Sequence, residues 1–120
     1  MRLIIVKEVF SDRPVDPNRY RSFLDELAAF FKDHFRVRIA EELRDLKIHI
    51  RKDDVANIAF LSQAMISKAI DLGNMFPALK IVVFSSLPQE SAVRGAHKNV
   101  FLIKKGEDHF GKALKVFHHG

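Results

Sequence analysis

The chain opens on an apolar run. In "RLIIVKEVF", residues 2 to 10, Leu3, Ile4, Ile5 and Val6 follow one another without a polar interruption, and most are β-branched. That pattern predicts a strand covered on both faces. A turn-rich segment, "SDRPVDPNRY", comes next, where Asp16 can cap a helix whose first position is Pro17. Tyr20, Phe23, Leu24, Leu27, Ala28 and Phe31 then fall on one face of a helix.

Two stretches alternate. "FRVRIAEEL" sets Phe35, Val37 and Ile39 against Arg36 and Arg38, as a half-exposed strand near a sheet edge does. "LKIHIRKD" repeats the period with Leu46, Ile48 and Ile50, predicting a further strand. The two form either a hairpin or parallel strands joined by a cramped helical turn over "AEELRD". Residues 53–76 carry two readings. Val55, Ile58, Leu61, Met65, Ala69 and Leu72 keep a helical stride, whereas "VANIAFL" also reads as an apolar loop or short strand leading to a helix from about Ser62. Gly73 and Pro77 end the helix in either reading.

The remainder is plainer. Leu79 to Phe84 reads as a buried strand, residues 88–96 as a short helical stretch, and residues 100–104 as the last strand. After Gly106, the positions Phe110, Ala113, Leu114 and Phe117 stripe a final helix. Strands alternating with helices predict an α/β fold: a single three-layer domain over residues 1–120, with a mostly parallel central sheet of about five strands flanked by helices.

Composition narrows the class. At 120 residues, with 48% apolar and 29% charged side chains, the chain matches ordinary globular usage and one core. Eleven Phe and no Trp point to a core of rings and aliphatics, and the absence of Cys excludes disulfides and thiolate metal sites. No apolar run approaches the roughly 18 residues of a membrane span, and "MRLIIVKEVF" becomes charged too soon for a signal peptide. The expected location is the cytoplasm, with no membrane partner. Of the net charge of +5, the segment 94–120 supplies +4, through Arg94, Lys98, Lys104, Lys105, Lys112 and Lys115 against Glu107 and Asp108. A solvated basic face is the simplest account. A nucleic-acid or nucleotide partner is the alternative, less favoured because no aromatic residues alternate with the bases.

In a parallel α/β sheet, functional groups gather at the carboxyl ends of strands. Those ends supply Glu8, then Asp53 or Asp54, then Ser85 or Ser86, then Lys104 or Lys105. Two acids, a hydroxyl and an ammonium can hold a cation, offer a nucleophile to a phosphoryl group and bind its oxygens. Each also has a structural use: the aspartates as helix caps, Ser85 as a turn residue and Lys104 as a solvated strand end. The six His lack close ligand pairing, the five Gly never cluster into a phosphate loop, and no serine sits in a nucleophile elbow. The expectation is a protein that is not an enzyme and holds no metal or cofactor.

"FPALKIVVFSS" followed by "ESAVRGAHKNVFLIKKGEDHFGKALKVF" resembles the later half of receiver domains of two-component signalling, and "MRLIIVKE" enters the first strand as receivers do. The resemblance implies a flavodoxin-like order of parallel strands. Ser85 is then similar to the switch hydroxyl, Lys104 to the conserved lysine, Asp54 (or Asp53) to the phosphoacceptor after the third strand, and Glu8 to one acid of a metal-binding pair whose other member is replaced by Lys7. Lys104 is followed by Lys105 and Gly106 in place of a proline. These departures imply a degraded phosphorylation site, and a module that signals by protein–protein contact through Arg94, Lys98 and the face of Phe110. A regulatory protein is the expected partner, or a second copy of the chain. "KIHIRKDDVANIAFLSQAM" is also similar to the third strand and following turn of STAS domains, the fold of anti-sigma-factor antagonists, with the regulatory serine either missing or displaced to Ser62. That resemblance implies an interaction domain whose sheet includes an antiparallel pair.

Overall fold

A computed structural model describes residues 2–9, 20–50, 56–86 and 99–119. The opening apolar run forms β1 (Arg2–Val6), in which every residue after Arg2 is buried. Helix α1 (Arg21–Phe31) buries Leu24, Leu27 and Phe31, the face predicted for it. Strand β2 (Arg36–Ala40) follows, then helix α2 (Leu43–His49) and strand β3 (Asn57–Phe60). A 3-10 turn (Gln63–Met65) leads into α3 (Ile66–Met75), and β4 (Lys80–Ser85), β5 (Val100–Lys104) and α4 (His109–His119) complete the described elements.

The strands lie in the order β2-β1-β3-β4-β5, and all four pairings are parallel. The hairpin of residues 35–51 and the antiparallel pair implied by the STAS resemblance are thus both overturned. The chain leaves β1 toward β2 on one side and returns to β3 on the other. That reversal opens a crevice at the carboxyl ends of the strands.

One predicted strand is a helix. Residues 46–50, expected to be extended, belong to α2 and its C-cap, and Leu46 and Ile50 are both buried against one core. Residues four apart lie on one face of a helix and also of a strand, so the alternation did not decide between them. The N-terminus decides it. Glu42 and Asp45 form a reciprocal capping box, and the Glu8 carboxylate accepts the Leu43 amide at 2.8 Å. The third strand is therefore "NIAF", within the stretch whose pattern allows a helical stride or a short strand. Asp53 and Asp54 come before it in the chain and not after it. Those aspartates, the Asp16–Pro17 cap, the helical stretch 88–96, Arg94 and Lys98 lie outside the described residues.

Burial on both faces explains the apolar strands. One face packs Ile4, Val6, Ile58, Phe60, Ile81 and Val83 beneath α2 and α3. The other packs Leu3, Ile5, Val82, Phe84 and Ile103 against α1 and α4, through Phe31, Phe35 and Phe117. Removing this apolar surface from water, at about 25 cal/mol per Å², is the main driving force for the fold.

Candidate functional site

The carboxyl edge of the sheet places each polar group by strand register. Ser85 ends β4 and pairs with Lys104, which ends β5. Register partners in a sheet share a face, so both stand on the α2/α3 side. Ser85 is 5% exposed, whereas Lys104 is open to solvent. The Ser85 hydroxyl donates to Gln63 Oε1 at 2.9 Å. Gln63 opens the turn after β3, so this bond ties the ends of two adjacent strands.

The residues just after β3 are Leu61, which is buried, and Ser62. The Ser62 hydroxyl caps the 3-10 turn by accepting the Ala64 amide at 3.2 Å. Glu8, two residues beyond β1, is half-buried and accepts the Leu43 amide as described. A carboxylate at a helix N-terminus is stabilised by the backbone dipoles and satisfies an otherwise orphan donor. Lys7 points away to an exposed ion pair with Glu41 at 3.3 Å.

Lys105 follows Lys104 on the opposite face. Its ammonium lies 4.5 Å from the Phe23 ring centroid and 4.9 Å from that of Tyr20, and its amide donates to the Ser85 carbonyl at 2.8 Å. The ammonium thus covers the top of α1 by cation–π attraction. Phe110, expected to face a partner, packs inward instead. Its ring lies 5.6 Å from Phe23, 5.4 Å from Phe30 and 6.1 Å from Phe84. Any partner surface on α4 must use that helix's outer positions.

The structure therefore brings Ser85 and Lys104 together, sets Glu8 at the same edge as a helix cap, and adds Gln63 and Ser62. Gln63 escaped sequence reasoning because its partner is 22 residues away. The capping box at Glu42 and Asp45 was the available signal for α2. The divalent cation implied by the receiver resemblance does not fit the described residues. One acid position is Lys7, the other is committed to an amide, and a hydroxyl follows β3. Among the described residues no three His, Asp or Glu side chains gather into a metal-binding group. A groove of about 310 Å³ lined by Leu43, Lys68, Asp71 and Leu72 runs between α2 and α3, and its lining includes neither Ser85 nor Lys104. Among the described residues no helix is long and apolar enough to cross a membrane.

A five-stranded, wholly parallel sheet in this order, with helices on both faces, defines a doubly wound fold of the flavodoxin and receiver type. No family model matches the chain, and no curated protein matches its sequence. Among solved structures it is similar to a response regulator from Thermotoga maritima, over 98% of both chains, with a TM-score of 0.62 and 17% identity. The chain has the fold of a receiver domain.

Proposed function

We propose that the chain is a non-enzymatic, cytoplasmic signalling module on a receiver-type fold, which acts by binding a regulatory protein and is not driven by aspartyl phosphorylation. The observation that carries this reading is Ser62, two residues beyond β3: its hydroxyl is committed to capping a turn, close to where the receiver resemblance calls for a nucleophilic carboxylate. A serine hydroxyl needs an adjacent base to attack a phosphodonor. The polar group that opens this turn beside it is the Gln63 amide, which is not basic. The partner is assigned to β5 and the outer positions of α4, together with the basic residues Arg94 and Lys98 that precede β5 in the sequence.

Intact-mass measurement after incubation with acetyl phosphate and magnesium tests the reading. The mass is expected to stay unchanged. A hydroxylamine-labile phosphoryl adduct that disappears in an Asp53→Ala, Asp54→Ala double variant would restore phosphoacceptor chemistry and overturn it.

A further inference from the structure

The structure leaves one long side of β2 unpaired among the described strands, since β2 ends the sheet order. The Lys7 amide donates to the Ala40 carbonyl, so Ala40 and, by alternation, Arg38 and Arg36 turn their backbone groups toward β1. Val37 and Ile39 turn theirs outward. Ile39 is also 43% exposed, one of two large apolar side chains this open among the described residues. An edge of this kind is a template for another strand unless something blunts it.

Charges of a single sign would blunt it. Within β2 the charges are Arg36 and Arg38, and the sign reverses just beyond the strand at Glu41 and Glu42, where Glu42 keeps an extended backbone at φ -132 and ψ 157 and pairs with Arg44 at the exposed surface. A base-to-acid order is complementary to itself when read antiparallel. With Ile39 opposite its own copy, Arg36 meets Glu42 of the partner, Arg38 meets Ala40, and Val37 meets Glu41. Ile39 and its copy then share the two-fold axis as a hydrogen-bonded pair, covering each other's exposed side chain on the α1 side. The register with Arg38 opposite Arg38, by contrast, sets like charges together and is disfavoured.

We propose that β2 docks antiparallel on the β2 of a second copy of this chain, joining two sheets across a two-fold axis. Two short strands bury less than about 1,200 Å², so the association is weak, on the order of micromolar. The self-complementary charge order favours a second copy over an unrelated acidic peptide, which would need only the arginines.

Sedimentation of the full chain across a concentration series tests this, using Arg36→Glu and Glu42→Arg separately and mixed in equal amounts. The parent is expected to form a reversible dimer. Each single variant should dimerise roughly tenfold more weakly, because both symmetric pairs become like-charged. The mixture should regain the parent affinity, because a dimer of the two variants has opposite charges in both pairs. Circular dichroism checks that Glu42→Arg, at a helix cap, remains folded. Ile39→Lys, outside the cap, should also abolish the dimer. A parent that stays monomeric at the highest concentration, a dimer indifferent to Arg36→Glu or Ile39→Lys, or a folded mixture that fails to recover would each overturn the proposal.

Discussion

The two edges of the sheet treat polar side chains differently. At the amino edge, Asn99 is buried, and its amide donates to the Leu79 carbonyl at 2.7 Å, the Phe76 carbonyl at 3.1 Å and the Gly73 carbonyl at 3.4 Å. One side chain thus closes the C-terminus of α3 onto the start of β4. Lys80 likewise reaches the Phe117 carbonyl near the C-terminus of α4 at 3.0 Å. At the carboxyl edge, Ser85 gives one bond to Gln63, and Glu8 and Ser62 each accept a backbone amide. The amino edge is clasped by several bonds, two of them buried, and the carboxyl edge by single bonds that are part-buried or exposed. Single bonds exchange with water at little cost, as the proposed exchange of contacts at this edge requires.

The largest expected loss tests the stronger clasp. Asn99→Ala removes the two amide hydrogens that three carbonyls in or near the core share, while relieving the burial of Asn99 Oδ1, which has no hydrogen-bond partner. The balance is a loss of about 2–3 kcal/mol, read as a lower urea midpoint at unchanged slope. Gly73→Ala should act on the same place more mildly. Its added Cβ would lie 2.6 Å from Val100 Cγ2 and 3.1 Å from Asn99 Oδ1. Alanine favours a helix by about 0.5–1 kcal/mol over glycine, but overpacking a tight site costs about 1–3 kcal/mol. Both neighbours are buried, so the clash wins and thermal stability falls.

Which parts of this architecture the sequence showed follows from the same physics. Strands β1, β4 and β5 are covered on both faces or nearly so, and short unbroken runs of aliphatic and aromatic residues bounded by polar ones suit a buried strand. Helices α1 and α4 show one wide apolar stripe each. The stretch from β2 to β3 was harder because Leu46 and Ile50 satisfy both periods, and because the residue that caps α2, Glu8, lies 35 positions away. Ser85 and Lys104 were legible because each ends a recognisable strand. Their pairing in register was not, nor was Gln63, since both depend on which strands become neighbours. The misplaced third strand also carried the aspartates to the wrong end of it.

Glu8 gives a prediction of intermediate size. Glu8→Ala leaves the Leu43 amide without its acceptor and removes a negative charge from the start of α2, a loss of about 1 kcal/mol. Because α2 has its own capping box, the damage should stay local. Hydrogen exchange should quicken across α2 while β4 and β5 keep their protection. Glu8→Gln retains an acceptor and should recover part of the loss. Equal protection in α2 for all three proteins would remove Glu8 as the cap.

Ser85→Ala should have the smallest effect. It removes a neutral bond worth about 0.5–1.5 kcal/mol, but the partner, Gln63, is half-buried beside solvent, so water can take the place of the hydroxyl. Alanine also buries no polar atom, which offsets part of the loss. The expected change is under about 1 kcal/mol, with α3 and β4 unchanged in hydrogen exchange. Measured beside Asn99→Ala in one urea series, this variant decides whether the two edges differ. A small loss leaves the Ser85–Gln63 bond as one that a ligand or partner can break and remake. A loss matching that of Asn99→Ala would make Ser85 a second structural clasp, and the carboxyl edge would then have no readily exchangeable bond at the junction of β3 and β4.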